Sequence, residues 1–426
     1  MRGGEMWARL LGVERTVVEA AGFEEDGDQD EVLVAHVRPG RGERQRCPEC
    51  RRRCPKYDKG EGRRRWRTLD LGTVRAYLEA DAPRVRCRKH GVIVAAVPWA
   101  RHGAWHTRPF DDTVAWLAVA TSKSAVRTLM RVAWRTVGSI VTRVCADADA
   151  VTDRFEGLRR IGIDEISFRR GRKYLTVVAD HDTGLLVWAA EGRDAKTLGR
   201  FFAALGPERC ALITHVSADS ADWIARAVKK ACPDAVRCAD PFHVVKWATE
   251  ALDEVRRQFW RAQRKSGETR SKGRGRRDST GTALRLRDGR YALWKNPENL
   301  TVKQQATLDW IQKTHPRLYR AWLLKEGLRY VFKIKGREGK LTLRRWLSWA
   351  QRCRIPEFVE LGRKIRRHLP QIYAALDNGL SNALIESANT KIRLITRIAY
   401  GFKDPAALIA LAMLTLGGYR PALPGR

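Results

Sequence analysis

Over the first hundred residues, apolar and polar positions alternate in short stretches separated by turn residues. "VRAYLEA" has the period of a half-buried strand in a small β-ribbon, and "RTVVEAAGFEEDGDQDEVLVAHVRPG" reads as a hairpin folded at its acidic centre. From Thr107 the period becomes helical. Val114, Leu117 and Ala118, then Val137, Ile140, Val141 and Val144, recur at the spacing of one helix face. This predicts three helices at about 111–121, 123–130 and 133–147, with breaks short enough for a helix-turn-helix.

Beyond Arg160 strands return. "RIGIDEISF", "KYLTVVADHDTG" and "LLVWAAEGR" predict a three-strand meander; then come a helix in "DAKTLGRFFAALG", a strand in "ITHVSADS", a helix in "ADWIARAVKKACP" and a strand in "AVRCADPFHVV". Strands paired in series and then alternating with helices describe a mixed α/β sheet covered by helices, in the order of a ribonuclease H-like core. Residues 256–378 exceed what such a core needs. The Gly/Arg-rich "WRAQRKSGETRSKGRGRRDSTGT" predicts a mobile loop, and the runs after it an all-helical insertion. Trp294, Trp310, Trp322, Trp346 and Trp349 recur within its amphipathic stretches, so they are expected to pack in its core rather than to stack on bases.

Composition changes this picture in two ways. The 426 residues carry 82 Lys and Arg against 48 Asp and Glu, a formal charge of +34 that draws polyanions and makes nucleic acid the expected partner. The longest apolar run, 406–416, is shorter than the roughly 20 residues of a bilayer span, and the start lacks the apolar segment of a signal peptide. A cytoplasmic, nucleoid-associated protein with no membrane partner is expected. In a reducing compartment, clustered cysteines point to metal rather than disulfides.

Cys47 and Cys50 stand at C-x2-C spacing and Cys87 and His90 at C-x2-H, two bends that can bring soft ligands to one structural Zn2+, with Cys54 a competing ligand. The intervening "RRRWR" is a phosphate-binding patch or a solvated face. On the last of the three helices, Arg135, Thr136, Ser139, Thr142 and Arg143 occupy the polar side that would face a DNA major groove. Cys210, Cys232, Cys238 and Cys353 lack paired spacing and are expected to be buried thiols. No G-x-x-x-x-G-K-[ST] loop occurs, so no nucleotide cofactor is expected.

The acidic residues carry the remaining chemistry. Asp164 falls in the first strand of the core and Asp219 at the carboxyl end of the fourth; those strands are adjacent in the expected order. Carboxylates that close repel unless a cation lies between them, so the pair points to divalent metal. A third acid is Glu386 in "LSNALIESANTKIRLITRIAYGF", where Glu386, Asn389, Arg393 and Arg397 share a helix face beside a stripe of Ile385, Ala388, Ile392 and Ile395.

From about Leu10 to Gly418, "GIDEISFRRGRKYLTVVADHDTG", "SADSADWIARAV", "ADPFHVVK", "NALIESANTKIRLITRIAYGF" and the Cys-rich N-terminus together resemble the ISL-three family of bacterial insertion-sequence transposases. The resemblance implies a DDE transposase with Asp164, Asp219 and Glu386 as catalytic acids holding two Mg2+ ions, Mn2+ being a substitute. It also implies a zinc module of Cys47, Cys50, Cys87 and His90, with His90 where many members carry cysteine. Asp240 and His243 resemble a D-x2-H signature of related transposases and are accessory candidates, as metal ligand and phosphate-orienting group or as a strand-end Asp with a buried His. The expected activity is binding of terminal inverted repeats followed by strand cleavage and transfer on double-stranded DNA, by a homodimer, with Arg135, Thr136, Ser139, Arg143, Arg393 and Arg397 as DNA contacts. The expected domains are 1–105 (hairpin and zinc module), 106–155 (helix-turn-helix), 156–255 (core), 256–378 (insertion) and 379–426 (closing helix and tail). A catalytically silent DNA-binding regulator and a nuclease on RNA–DNA hybrids are the alternatives; the intact acids weigh against the first and the N-terminal modules against the second.

Overall fold

The acidic-centred hairpin forms as its alternation predicts: Thr16–Glu25 pairs antiparallel with Glu31–Pro39, with Glu25 opposite Glu31. The structure, a computed structural model, describes residues 3–25, 31–169, 171, 173–218, 221–270, 281–380, 383–419 and 421–424, with side chains described at all of these but 3, 264–270, 281–284 and 383. Two compact units result, residues 1–154 with 394–426, and residues 155–393.

In the first unit, Arg75–Asp81 joins the hairpin in parallel and Arg63–Arg67 closes a four-stranded sheet. Val18, Val37 and Leu78 are buried with Trp66, which meets Trp99 edge-on at 5.5 Å. "RRRWR" is one strand of this sheet, and its arginines are engaged within the protein. Arg65 bridges Glu79 at 2.6 Å and Glu24 at 2.5 Å, Arg63 reaches Glu79 at 3.2 Å, Arg67 pairs with Asp70, and Arg64 lies 3.9 Å over Trp105. A second sheet of three short strands, Lys56–Asp58, Arg84–Cys87 and Gly91–Val94, carries the cysteine-rich segment.

The three expected helices are Arg108–Ala120, Lys123–Met130 and Trp134–Val151. Thr107 and Ser122 cap the first two by accepting the backbone N–H of Phe110 and Ala125. Arg131, at φ 49, turns the chain between the second and third in the left-handed region glycine usually occupies. The apolar run near the end is helix Pro405–Leu416, which packs on Trp134–Val151 within this unit; burial accounts for its composition. Residues 394–426 thus group with the helix-turn-helix in one compact unit. No helix among the described residues is long and apolar enough to cross a membrane.

The second unit is built on a five-stranded sheet ordered Leu186–Glu191, Lys173–Asp180, Arg160–Arg169, His215–Ala218, Val236–Ala239. The first three strands are antiparallel, and the last two run parallel to Arg160–Arg169. This is the order expected of the mixed α/β core. Helices Ala195–Leu205 and Asp222–Ala231 contribute Leu198, Phe201, Ile224 and Val228 to a core shared with Ile161, Ile163, Val178 and Val216 of the sheet.

The last strand is shorter than its apolar pattern suggested. It ends at Ala239, and Pro241, whose fixed φ suits a helix start, opens helix Pro241–Arg270. That helix runs into the stretch expected as a loop; residues 271–280 of the stretch lie outside the described residues. The insertion is helical, from Gly281–Asp288 through Leu369–Asn378. Trp322 and Trp346 are buried in its core and Trp310 packs against it, as expected, while Trp294, in ring contact with Tyr291, and Trp349 are exposed. Cys210, Cys232, Cys238 and Cys353 are buried thiols, as expected.

Phe201 is fully buried and in ring contact with Phe155, Trp188 and Phe202. Phe201→Ala is expected to cost about 3–5 kcal/mol, read as a lower urea midpoint at unchanged slope. An unchanged midpoint would show that this core does not set the unit's stability.

Candidate functional site

Two chain reversals build the metal site of the first unit. In one, the Cys47 N–H donates to the Arg52 carbonyl and the Arg51 N–H to the Cys47 carbonyl, each at 2.9 Å, with Arg51 at φ 59 just past Cys50. In the other, Cys87–His90 joins two strands, and Gly91 at φ 74 follows the histidine. Each reversal has a left-handed residue directly after its second ligand.

The ligand atoms of Cys47, Cys50, Cys87 and His90 lie within 4.8 Å of one another, the one such grouping among the described residues. The Cys50–Cys87 sulfurs are 3.7 Å apart, and His90 Nδ1 is 3.4 Å from Cys47 Sγ and 3.6 Å from Cys87 Sγ. A tetrahedron with Zn–S of roughly 2.3 Å and Zn–N of roughly 2.0 Å has edges of about 3.8 and 3.5 Å, so the spacing fits zinc. The backbone N–H groups of Lys89 and His90 lower the Cys87 thiol to about 6, favouring the thiolate a metal takes. Cys54 is buried nearby, with its Sγ directed to the Arg52 carbonyl at 3.4 Å, and is not one of the four.

On helix Trp134–Val151, Arg135 and Ser139 are exposed one turn apart, and Thr136 is half-buried. Thr142 donates to the Gly138 carbonyl at 3.0 Å. Arg143 is committed elsewhere. Its Nε and Nη2 donate to the two oxygens of the fully buried Asp111 at 3.0 and 3.2 Å, and Arg101 approaches the same carboxylate at 3.5 Å. Arg393 and Arg397 are exposed, the former in the second unit and the latter in the first.

Asp164 lies just past the part of its strand that pairs with the parallel neighbour, and Asp240 just past the end of the last parallel strand, the side on which open α/β sheets leave a crevice. Ile163 is aligned with Ala218 on the neighbouring parallel strand, and Asp164 is the next residue. Asp219 directly follows Ala218 in sequence and lies outside the described residues. Asp164 Oδ1 accepts the Glu165 N–H at 2.8 Å, and its Oδ2 accepts Asn389 Nδ2 at 2.7 Å. Glu165 takes the alternate direction and pairs with Arg193 at 3.0 Å. Asp240, 2% exposed at the end of the last strand, caps the following helix by accepting the Phe242 N–H at 3.2 Å, and its other oxygen meets His243 Nδ1 at 2.9 Å.

Glu386 is half-buried in the first turn of helix Ala383–Ile398. Its carboxyl is raised above the usual range, first by burial and then by the charges of Asp240 and Asp164, with His243 and Arg393 opposing. The structure therefore brings Asp164, Asp240, His243, Glu386 and Arg393 into one electrostatic neighbourhood. Asn389, one turn beyond Glu386, had been noted only as a polar position on that face. It is 2% exposed, and its Oδ1 has no hydrogen-bond partner among the described residues. An unmet buried acceptor of that kind costs about 1–3 kcal/mol. Carboxylates together with an available amide oxygen are the hard donors that Mg2+ and Mn2+ take, so these residues fit a divalent ion.

The zinc geometry predicts one zinc per chain in the wild type and in Cys54→Ser, measured by metal analysis of purified protein. Cys87→Ser is expected to lose the ion and the cooperative unfolding of its module. Zinc loss from Cys54→Ser would assign the fourth ligand wrongly.

Residues 43–90 match the zinc-finger of transposase IS204/IS1001/IS1096/IS1165, residues 95–145 the helix-turn-helix domain of transposase family ISL3, and residues 161–412 the DDE transposase domain of the same family. A transposase for insertion sequence element IS1557 from Mycobacterium tuberculosis strain H37Rv is 62% identical over 436 residues, covering 100% of this chain and 98% of that protein. The transposase for insertion sequence element IS1001 of Bordetella parapertussis is 23% identical over 361 residues, 84% of this chain and 85% of its own. The chain belongs to the ISL3 family of DDE-type transposases.

Proposed function

We propose that this transposase binds the terminal inverted repeats of its element and cuts and joins DNA strands at a site formed by Asp164, Asp219 and Glu386. The observation that carries the reading is the hydrogen bond from Asn389 to Asp164, which fastens the helix bearing Glu386 to the strand bearing the first acid. Two divalent ions held by the three acids would activate a water or 3′-hydroxyl and stabilise the leaving oxygen of an in-line displacement at phosphorus.

The residues themselves position and exclude. The backbone N–H of Glu165 and the Asn389 amide each donate to one oxygen of Asp164, which fixes the orientation of a carboxylate that would hold a cation. Asp240 holds the start of the next helix and orients His243, which suits an accessory place at the rim of the site rather than a principal acid. Attack comes from a nucleic-acid or water oxygen, so no covalent protein intermediate is required. The zinc module and helix-turn-helix read the repeats, with Arg135, Thr136 and Ser139 on the exposed helix surface and Arg393 and Arg397 as further phosphate contacts. A homodimer supports pairing of the two ends.

The test uses DNA carrying the flanking inverted repeats, with Mg2+ and with EDTA. Glu386→Gln is expected to retain binding and to lose strand nicking and joining by more than about 100-fold; specific binding with no metal-dependent cleavage by the wild type would leave a silent regulator. The arginines divide by role. Arg135→Ala is expected to weaken repeat binding about tenfold, measured by titration at fixed salt. Arg143→Ala instead removes a partner of buried Asp111 and lowers stability by about 3–5 kcal/mol; equal folding stability of the two variants would overturn the distinction.

A further inference from the structure

We infer that Asn389 is a positioning residue of the metal site, with one end of its amide holding Asp164 and the other kept for a water molecule bound to the ion. The inference rests on the acid-site reading above and goes beyond it, because Asn389 is not one of the three acids.

The orientation of the amide follows from chemistry. A carboxylate is an acceptor only, so the group 2.7 Å from Asp164 Oδ2 is the NH2 end. The amide oxygen is then the other end of the same group, and it is left without a hydrogen-bond partner among the described residues. Water does not compete freely for it, since the residue is 2% exposed. A buried acceptor beside Asp164, one helical turn from Glu386, is placed to receive a hydrogen bond from a donor that arrives with the ligand. A divalent ion of the Mg2+ class keeps several of its waters when bound by carboxylates, and those waters are strong donors.

Neutrality matters as much as placement. Glu386 already feels the charges of Asp240 and Asp164, and a fourth carboxylate at 389 would add repulsion directly against Asp164. A lysine or arginine there would occupy the anionic site and compete with the cation. An amide supplies both a donor for the acid and an acceptor for the water without changing the charge.

Mn2+ is the probe, titrated by calorimetry into the zinc-loaded, DNA-free chain. Asn389→Leu, close in volume and without polar atoms, is expected to raise the Mn2+ dissociation constant 10- to 100-fold. It is also expected to raise the Mg2+ concentration needed for half-maximal strand cleavage, with excess Mg2+ restoring the rate; a purely structural lesion would not be rescued in this way. Wild-type Mn2+ affinity in Asn389→Leu, alongside weakened affinity in Asp164→Asn, overturns the role of Asn389 and leaves the acid site standing. Unchanged affinity in Asp164→Asn and Glu386→Gln as well removes the acid-site reading itself.

If Asn389→Leu fails to fold, Fe2+ substituted into the wild type, with ascorbate and peroxide, reports on the same geometry by cutting backbone near the ion. Cuts near both 164 and 389 support the inference. Cuts near 164 without any near 389 reject it.

Discussion

Mutual repulsion among carboxyl groups is the constraint around which the second unit is arranged. Asp164 comes from within one strand, Asp240 from just beyond another and Glu386 from a distant helix, and the Glu386 carboxyl is raised by burial and by the charges of the other two. Fixed donors meet two of these acids. A backbone N–H and an amide hold Asp164, and a helix start and an imidazole hold Asp240. The parallel pairing of the sheet aligns the strand end at Ala218 with Ile163, the residue before Asp164.

The first unit meets a similar problem with the opposite sign. Its excess of arginine is held on the sheet by cross-strand acids, as where Arg65 joins Glu24 and Glu79, and in the helices by buried Asp111. These pairings fix where the arginines sit but leave the net charge of +34 in place, since that is the excess over all the acids. On the last helix Arg143 is held by Asp111, while Arg135 and Ser139 stay exposed.

What the sequence made legible was local. Cysteine and histidine ligands two residues apart declare themselves because a metal knuckle is a single turn, and Cys54 was an open alternative because spacing alone cannot say which sulfur turns inward. The strands and helices of the core were readable from period, and the last strand was overextended because Val244 and Val245 continue an apolar pattern that Pro241 in fact converts to a helix. Glu386 stood out because its helix face is distinctive, and the structure sets it in the electrostatic neighbourhood of Asp164 and Asp240. Arg143 could not be separated from Arg135, since its partner Asp111 lies 32 positions away, and the role of Asn389 depends on a strand 225 positions away. Partners at such distances leave no periodic trace.

The helix Pro405–Leu416 belongs to the same compact unit as the helix-turn-helix and packs against its third helix, although more than 250 residues of other structure intervene in the chain. During synthesis the DNA-reading unit therefore waits on its last helix, and until that helix emerges the apolar surface around Val137 and Val141 has no cover. A chain cut short before this helix would expose that apolar surface to solvent, the kind of patch that draws chaperones and proteases.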